Sequence, residues 1–238
     1  MQRKIKKIVI TVVVLCVLGI PAGRHWYNNH AIKFEDTNMK KLIASACKEV
    51  YSEQLNITPN DMKKVKVLNI GYAGYYDTLK DLKWCTELET LQIDMGVYES
   101  SEAAYEIAQG ETPDDVKEEK VKQFEEELGK ILPKLKKLKV VYIAGDGGCE
   151  WNSLNFLKKC TQIKELWIYK FEISDYSTVK ECKSLEKIII FNSSIKNAED
   201  IIGIEHLKWI GLVNTPLSEN SEEIKKLQEV YPNAKIEY

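Results

Sequence analysis

The chain is poor in the residues and motifs on which catalysis usually rests. It has 3 histidines in 238 residues, and His25, His30 and His206 form no cluster in sequence. No His-Glu-x-x-His, Gly-x-Ser-x-Gly, phosphate-cradling glycine loop or facing pair of carboxylates occurs. That removes the usual frames for zinc hydrolysis, acyl transfer and nucleotide chemistry. The 6 cysteines include no Cys-x-x-Cys, which argues against a zinc knot. Gly145-Asp146-Gly147-Gly148 reads as a flexible loop absorbing extra residues rather than a calcium turn. These residues point to no enzyme, metal or cofactor. A basic stripe is missing too. The formal net charge is -2, and residues 1–24 carry five of the basic residues (Arg3, Lys4, Lys6, Lys7, Arg24) and no acid. The remainder is clearly acidic, so no surface tracks phosphates and nucleic acid is excluded as a partner.

Long apolar runs are confined to one place. Met1 to Lys7 is basic, and Ile8 to Ile20 (IVITVVVLCVLGI) is uninterrupted. This is the pattern of a secretory signal or a short signal-anchor. A full span needs about 20 apolar residues, and this run is shorter. The region around Ile20, Pro21, Ala22 and Gly23 makes a poor cleavage site, so cleavage and retention both stay open. Cys16 follows Leu15 rather than a small residue, which speaks against lipidation. The expectation is residues 1–23 as signal peptide or membrane anchor, 24–33 as linker, and an extracytoplasmic body, secreted or membrane-anchored through residues 5–23 if uncleaved.

The body repeats. Apolar-x-x-apolar-x-apolar recurs as Val65/Leu68/Ile70, Leu88/Leu91/Ile93, Leu138/Val141/Ile143, Ile163/Leu166/Ile168, Leu185/Ile188/Ile190 and Leu207/Ile210/Leu212. One long gap aside, the period is 22 residues with small variations. Further columns keep register. Position seventeen of the unit reads Leu82, Leu132, Leu157, Val179 and Ile201; position twenty reads Met62, Cys85, Leu135, Cys160, Cys182 and Ile204. Each unit is a short strand, a turn and a return segment, and it cannot bury its own apolar side. Stacking buries it, which predicts a solenoid with a parallel sheet on one side.

Three segments carry a family likeness. Ile57-Thr58-Pro59-Asn60-Asp61-Met62, followed by Val65-x-x-Leu68-x-Ile70, resembles the start of an internalin-like bacterial leucine-rich-repeat domain. Phe34-Glu35-Asp36-x-Asn38-Met39-Lys40-Lys41-Leu42-Ile43 resembles the helical N-terminal cap of that family. Leu227-x-x-Val230-Tyr231-Pro232-Asn233-Ala234-Lys235-Ile236 resembles its closing turn and last strand. The resemblance covers about residue 33 to the C-terminus. It implies an α/β fold: a curved right-handed solenoid with its sheet on the concave side, acting as a non-catalytic binding module. On this reading the helical cap is 34–62 and the repeat domain 63–238, with a C-terminal cap at about 218–238. Position nine, where the family places asparagine, reads Ala73, Gly96, Asp146, Phe171, Ser193 and Thr215.

The long gap holds an insertion, about 97–134. Thr112-Pro113-Asp114-Asp115 is a helix start. Val116, Val121, Phe124, Leu128 and Ile131 follow at helical spacing, which predicts a helix packed on the return side of the solenoid. A shorter helix is expected from Ser101 to Gln109. Cys85, Cys160 and Cys182 share a column with leucine and isoleucine, so they read as small core hydrophobes. A bond between Cys160 and Cys182, in adjacent units, stays open because stacked backbones approach to roughly 5 Å. Pairing of Cys47 with Cys149 is not favoured.

Alternation along each strand puts positions four and six in the core and three, five and seven outside. Tyr142, Trp167, Tyr169, Ile189, Phe191 and Trp209 therefore converge on neighbouring strands, with Glu165 and Lys187 near them. Large apolar side chains gathered on a surface mark a contact site, and Trp and Tyr dominate binding hot spots. The expected partner is a protein on the concave face. Envelope glycan is a second expectation, since aromatic faces can also seat sugar rings, and a structural subunit of a membrane complex a third.

Overall fold

The computed structural model describes residues 30–95, 113–145, 151–173 and 175–238. Within them, seven strands form one sheet in chain order, β1 to β7, every neighbouring pair parallel. They are β1 (Val67–Tyr72), β2 (Thr90–Asp94), β3 (Val140–Ala144), β4 (Glu165–Tyr169), β5 (Lys187–Phe191), β6 (Trp209–Val213) and β7 (Lys235–Glu237). Between strands the chain returns through short 3-10 turns, among them Lys80–Trp84, Leu132–Lys134, Asn155–Leu157 and Ser177–Glu181. One strand and one return per coil, stacked in sequence order, is a leucine-rich-repeat solenoid.

The repeat columns explain why the coils coincide. Leu68, Leu91, Val141, Leu166, Ile188 and Ile210 lie in register across the sheet and are at most 2% exposed. Ile70, Ile93, Ile143, Ile168, Ile190 and Leu212 form a second buried row. The position-twenty column sits at one repeated turn. The N–H of Cys85, Leu135, Cys160 and Cys182 each donates to the carbonyl three residues earlier, at 2.9 to 3.1 Å. The three cysteines are fully buried and their thiols free. Burial pushes all three up to about 12, which leaves them protonated. The Cys160–Cys182 bond left open by spacing is thus not formed. Cys47 is also free, whereas Cys16 and Cys149 fall outside the described residues.

No asparagine ladder fills position nine; assorted polar groups do its work. The Tyr76 hydroxyl donates to Ile70 O at 2.6 Å and the Tyr176 hydroxyl to Phe171 O at 2.8 Å. The Ser193 hydroxyl accepts from Phe171 N–H and donates to Phe191 O, each at 3.0 Å.

Both ends are capped. Helix α1 (Thr37–Lys48) starts at Asp36, whose carboxylate accepts from Met39 N–H at 2.7 Å. Helix α2 (Pro59–Met62) starts with a reciprocal Thr58–Asp61 capping box and proline in its first turn. The far end carries helix α4 (Ser221–Val230), capped by Asn220, and then β7. The N-terminal junction is polar inside. Asp81, fully buried, accepts from Glu35 N–H and Asp36 N–H at 2.8 Å each, and Asp36 accepts from Asp77 N–H at 2.7 Å.

The insertion contributes helix α3 (Pro113–Ile131), which lies on the return side. Phe124 and Leu128 are fully buried, and Phe124 stacks on Trp151 at 6.3 Å. A second stripe ties α3 to the loop after β1. Lys120 donates to Gly74 O at 3.2 Å and Gln123 to Asp77 O at 2.9 Å, while Glu127 accepts from the Thr78 hydroxyl and Leu79 N–H at 2.9 and 2.7 Å. The helix expected over Ser101–Gln109, Thr112, Val116's side chain, Asp146–Gly148 and the apolar run Ile8–Ile20 lie outside what is described.

Candidate functional site

The outer sheet face divides in two. Over β1 and β2 it presents mainly small or polar groups, with Asn69, Gln92 and Val67 exposed and Tyr72, in register with Asp94, half-buried. From β3 onward it turns aromatic. Parallel pairing places Tyr142 beside Trp167, Trp167 beside Ile189 and Ile189 beside Gly211; a second row runs Ala144, Tyr169, Phe191, Val213. A third reads Val140, Glu165, Lys187, Trp209, Lys235.

Register makes the rings stack. Tyr142 and Trp167 lie 5.3 Å apart with planes 25° from parallel, and Tyr169 and Phe191 lie 4.4 Å apart at 27°. Those separations match the spacing of neighbouring strands. Within each pair, one ring therefore turns a face toward its neighbour on the next strand. Cations continue the row. The Lys187 ammonium sits 4.4 Å from the Trp167 ring centre and 4.2 Å from that of Trp209, and Lys235 sits 4.4 Å from Trp209. Tyr142, Trp167, Lys187, Trp209 and Lys235 thus form one run of rings and cations over five strands, two rings first and then cation, ring and cation, each contact favourable through the ring quadrupole.

Acids fix the cations in place. Glu165 lies 3.5 Å from Lys187, whose side chain is only 19% exposed. Glu237 accepts from Trp209 Nε1 at 3.0 Å and pairs with Lys235. Those bonds, Lys235's first, hold the Glu237 carboxyl below its ordinary range. Trp167 differs: its Nε1 is buried without an acceptor, so the Tyr142 stack and the Lys187 contact, not a hydrogen bond, position that indole.

Of the six residues expected here, Tyr142, Trp167, Tyr169, Phe191 and Trp209 are half-buried and brought together on the face. Ile189 joins them differently. It is 8% exposed and leans across Gly211, where an added Cβ would meet its Cδ1 at 2.5 Å. It forms the floor of the patch. Sequence reasoning missed Lys235 and Glu237, because α4 interrupts the spacing between Trp209 and its partner in β7. It missed Lys170 as well, whose ammonium lies 5.2 Å from the Tyr169 ring centre at the upper rim.

Among the described residues no group of three or more His, Cys, Asp or Glu is placed to hold a metal. Nor is any helix there long and apolar enough to cross a membrane.

No family model matches the chain, and no curated protein does. Solved structures give remote likenesses. Internalin C2 of Listeria monocytogenes is 12% identical, with 76% of each chain covered and a TM-score of 0.42. The internalin InlF of the same organism is 14% identical, over 76% of this chain and 64% of that one, at 0.27. A leucine-rich-repeat protein of Leptospira interrogans is 13% identical, over 67% and 51%, at 0.33. The chain spans less than two thirds of the length of the latter two. Likenesses this remote leave the solenoid to rest on the sheet and coils described above.

Proposed function

We propose that the chain is a non-catalytic, extracytoplasmic binding module that holds a protein partner on the aromatic half of its outer sheet face. The observation that carries this reading is the packed row Tyr142–Trp167–Lys187–Trp209–Lys235, with Tyr169 and Phe191 stacked beside it. Seven large side chains are ordered before any partner arrives, so association loses little side-chain freedom. Aromatic anchors beside aliphatic lysine stems suit the core of a protein interface.

The packing of the rings disfavours a glycan. A sugar ring packs on an open aromatic face, and here Trp167 has Tyr142 and Lys187 on its two neighbouring strands, as Trp209 has Lys187 and Lys235.

A photo-crosslinking residue at Phe191 or Trp209, with Gln92 as the control position, tests the reading on intact cell envelope. The expected outcome is a discrete protein adduct from the aromatic half alone. Trp167→Ala and Phe191→Ala are each expected to weaken capture of that protein at least about tenfold. Their thermal transitions should fall by only a few degrees. Normal capture by both variants, or adducts to glycan alone, removes the proposal.

A further inference from the structure

The return side of the solenoid carries a feature that the aromatic face does not account for. Where the end of α3 passes the 3-10 turn Lys80–Trp84, a cleft of about 320 Å³ opens between them. Its floor is Ile131 and Leu135, both buried side chains of the core. Around it stand Lys80, Lys83, Lys130 and Lys134. The lining is mostly apolar in area and strongly positive in charge, a combination that neither a nonpolar ligand nor a fully hydrated anion satisfies alone.

The single carboxylate in the lining, Glu127, is already engaged by Thr78, Leu79 and Gln123. The lysines are less committed. Lys80 is shared between Glu127 at 3.7 Å and Glu35 at 3.9 Å, both longer than a hydrogen bond. Lys130 pairs with Glu126 on its own helix, with both side chains more than half exposed, and such a pair contributes little. Lys134 makes no ion pair, and the Thr86 hydroxyl in the lining no hydrogen bond, among the described residues. Only Lys83, on Glu35 at 2.5 Å, is firmly held.

We propose that this cleft binds a single-chain anionic amphiphile, its acyl chain on Ile131, Leu135 and the lysine stems and its carboxylate or phosphate among the ammonium groups. Charge complementarity selects the head, and the apolar floor selects the chain. The site lies on the side of the coil away from the sheet face, so it is independent of partner capture there.

Calorimetric titration of the intact chain with hexanoate, octanoate and decanoate, each below its micelle concentration, tests this. A buried methylene is worth about 0.8 kcal/mol, about fourfold in affinity. Saturable one-to-one binding that strengthens by up to that factor per methylene is the expected result. Decanol should bind at least about tenfold more weakly than decanoate, and Lys130→Glu/Lys134→Glu should lose decanoate by a similar factor. Both lysines are solvent-exposed, and an unchanged circular dichroism spectrum verifies the fold. Phe191→Ala, on the other face, should bind decanoate normally. Saturation by decanoate assigns the site to free acyl anions; saturation only by vesicles containing lysophosphatidic acid, lost in the double variant, assigns it to a lipid head. Absence of both, equal binding of decanol, or an unaffected double variant overturns the proposal.

Discussion

Lys170, Asn192 and Asn214 directly follow three successive strands, and all three have φ of +51°. Asparagine tolerates that left-handed conformation, and Asn214 even donates to Asn192 at 3.0 Å. Lysine has no such local compensation, and the conformation costs about 1 kcal/mol for an ordinary side chain. Lys170→Asn should therefore raise the urea midpoint by an amount equivalent to up to about 1 kcal/mol, with an unchanged slope. A lowered midpoint would mean that the Lys170 stem over Tyr169 outweighs the strain. Glu186 sets a different test. It lies 2.6 Å from both Lys164 and Lys208, and these bonds depress its carboxyl to about 2. A depressed folded-state value contributes stability above the unfolded carboxylate value and loses it as pH falls through the folded one. Compared across pH by thermal melts, the wild type should exceed Glu186→Gln at neutral pH. The two should converge between about pH 4.5 and pH 2. A gap that stays constant over that window would show that the carboxylate's charge is irrelevant.

At the scale of elements, α3 is joined to the first coils by one polar stripe and one apolar one. Lys120, Gln123 and Glu127 meet the loop at Gly74, Asp77 and Leu79, while Phe124 and Leu128 enter the core. Glu127→Ala leaves Leu79 N–H and the Thr78 hydroxyl without their acceptor, at a cost of about 1–3 kcal/mol. The thermal midpoint should drop by several degrees, with hydrogen exchange accelerating in α3 and the 74–79 loop before the strands. Uniform acceleration everywhere would contradict a local latch. Gly211→Ala addresses the sheet. The new methyl collides with Ile189, which must swing outward, so about 1 kcal/mol of destabilisation is expected and Ile189→Val should recover part of it. These elements differ in how legible they were. Phe124 and Leu128 announced the helix and its packing side through their spacing, and Leu68, Leu166 and Ile188 announced the core row through repetition. Ile189 reads as outward by alternation, and nothing local reveals that a glycine on the next strand gives it a bed. Ring stacking was equally hidden, since it depends on inter-strand register rather than on either strand's own pattern.

For the molecule as a whole, coils touch chiefly their neighbours, so stability accumulates from interface to interface. Strand β7 has three residues, of which Lys235 and Glu237 are exposed. Its amides should exchange earliest among the strands and those of β3 to β5 latest; the opposite order would argue against end-first opening. The same neighbour-only logic limits where function was readable. Lys235 and Glu237 enter the patch only because the capped end folds back to add a seventh rung after ten residues of helix, a step outside the 22-residue count.

The ions that run from coil to coil also bear on how such a chain can grow. Lys66 meets Glu87 and Glu89, Lys137 meets Glu87, and Glu186 meets Lys164 and Lys208. Copying the single coil that carries Glu186 would set carboxylate against carboxylate at the new joint, whereas copying it with a lysine-bearing neighbour would restore alternation. Duplicating the coil that carries Glu186 by itself is therefore expected to cost more electrostatically than duplicating it together with its lysine-bearing neighbour.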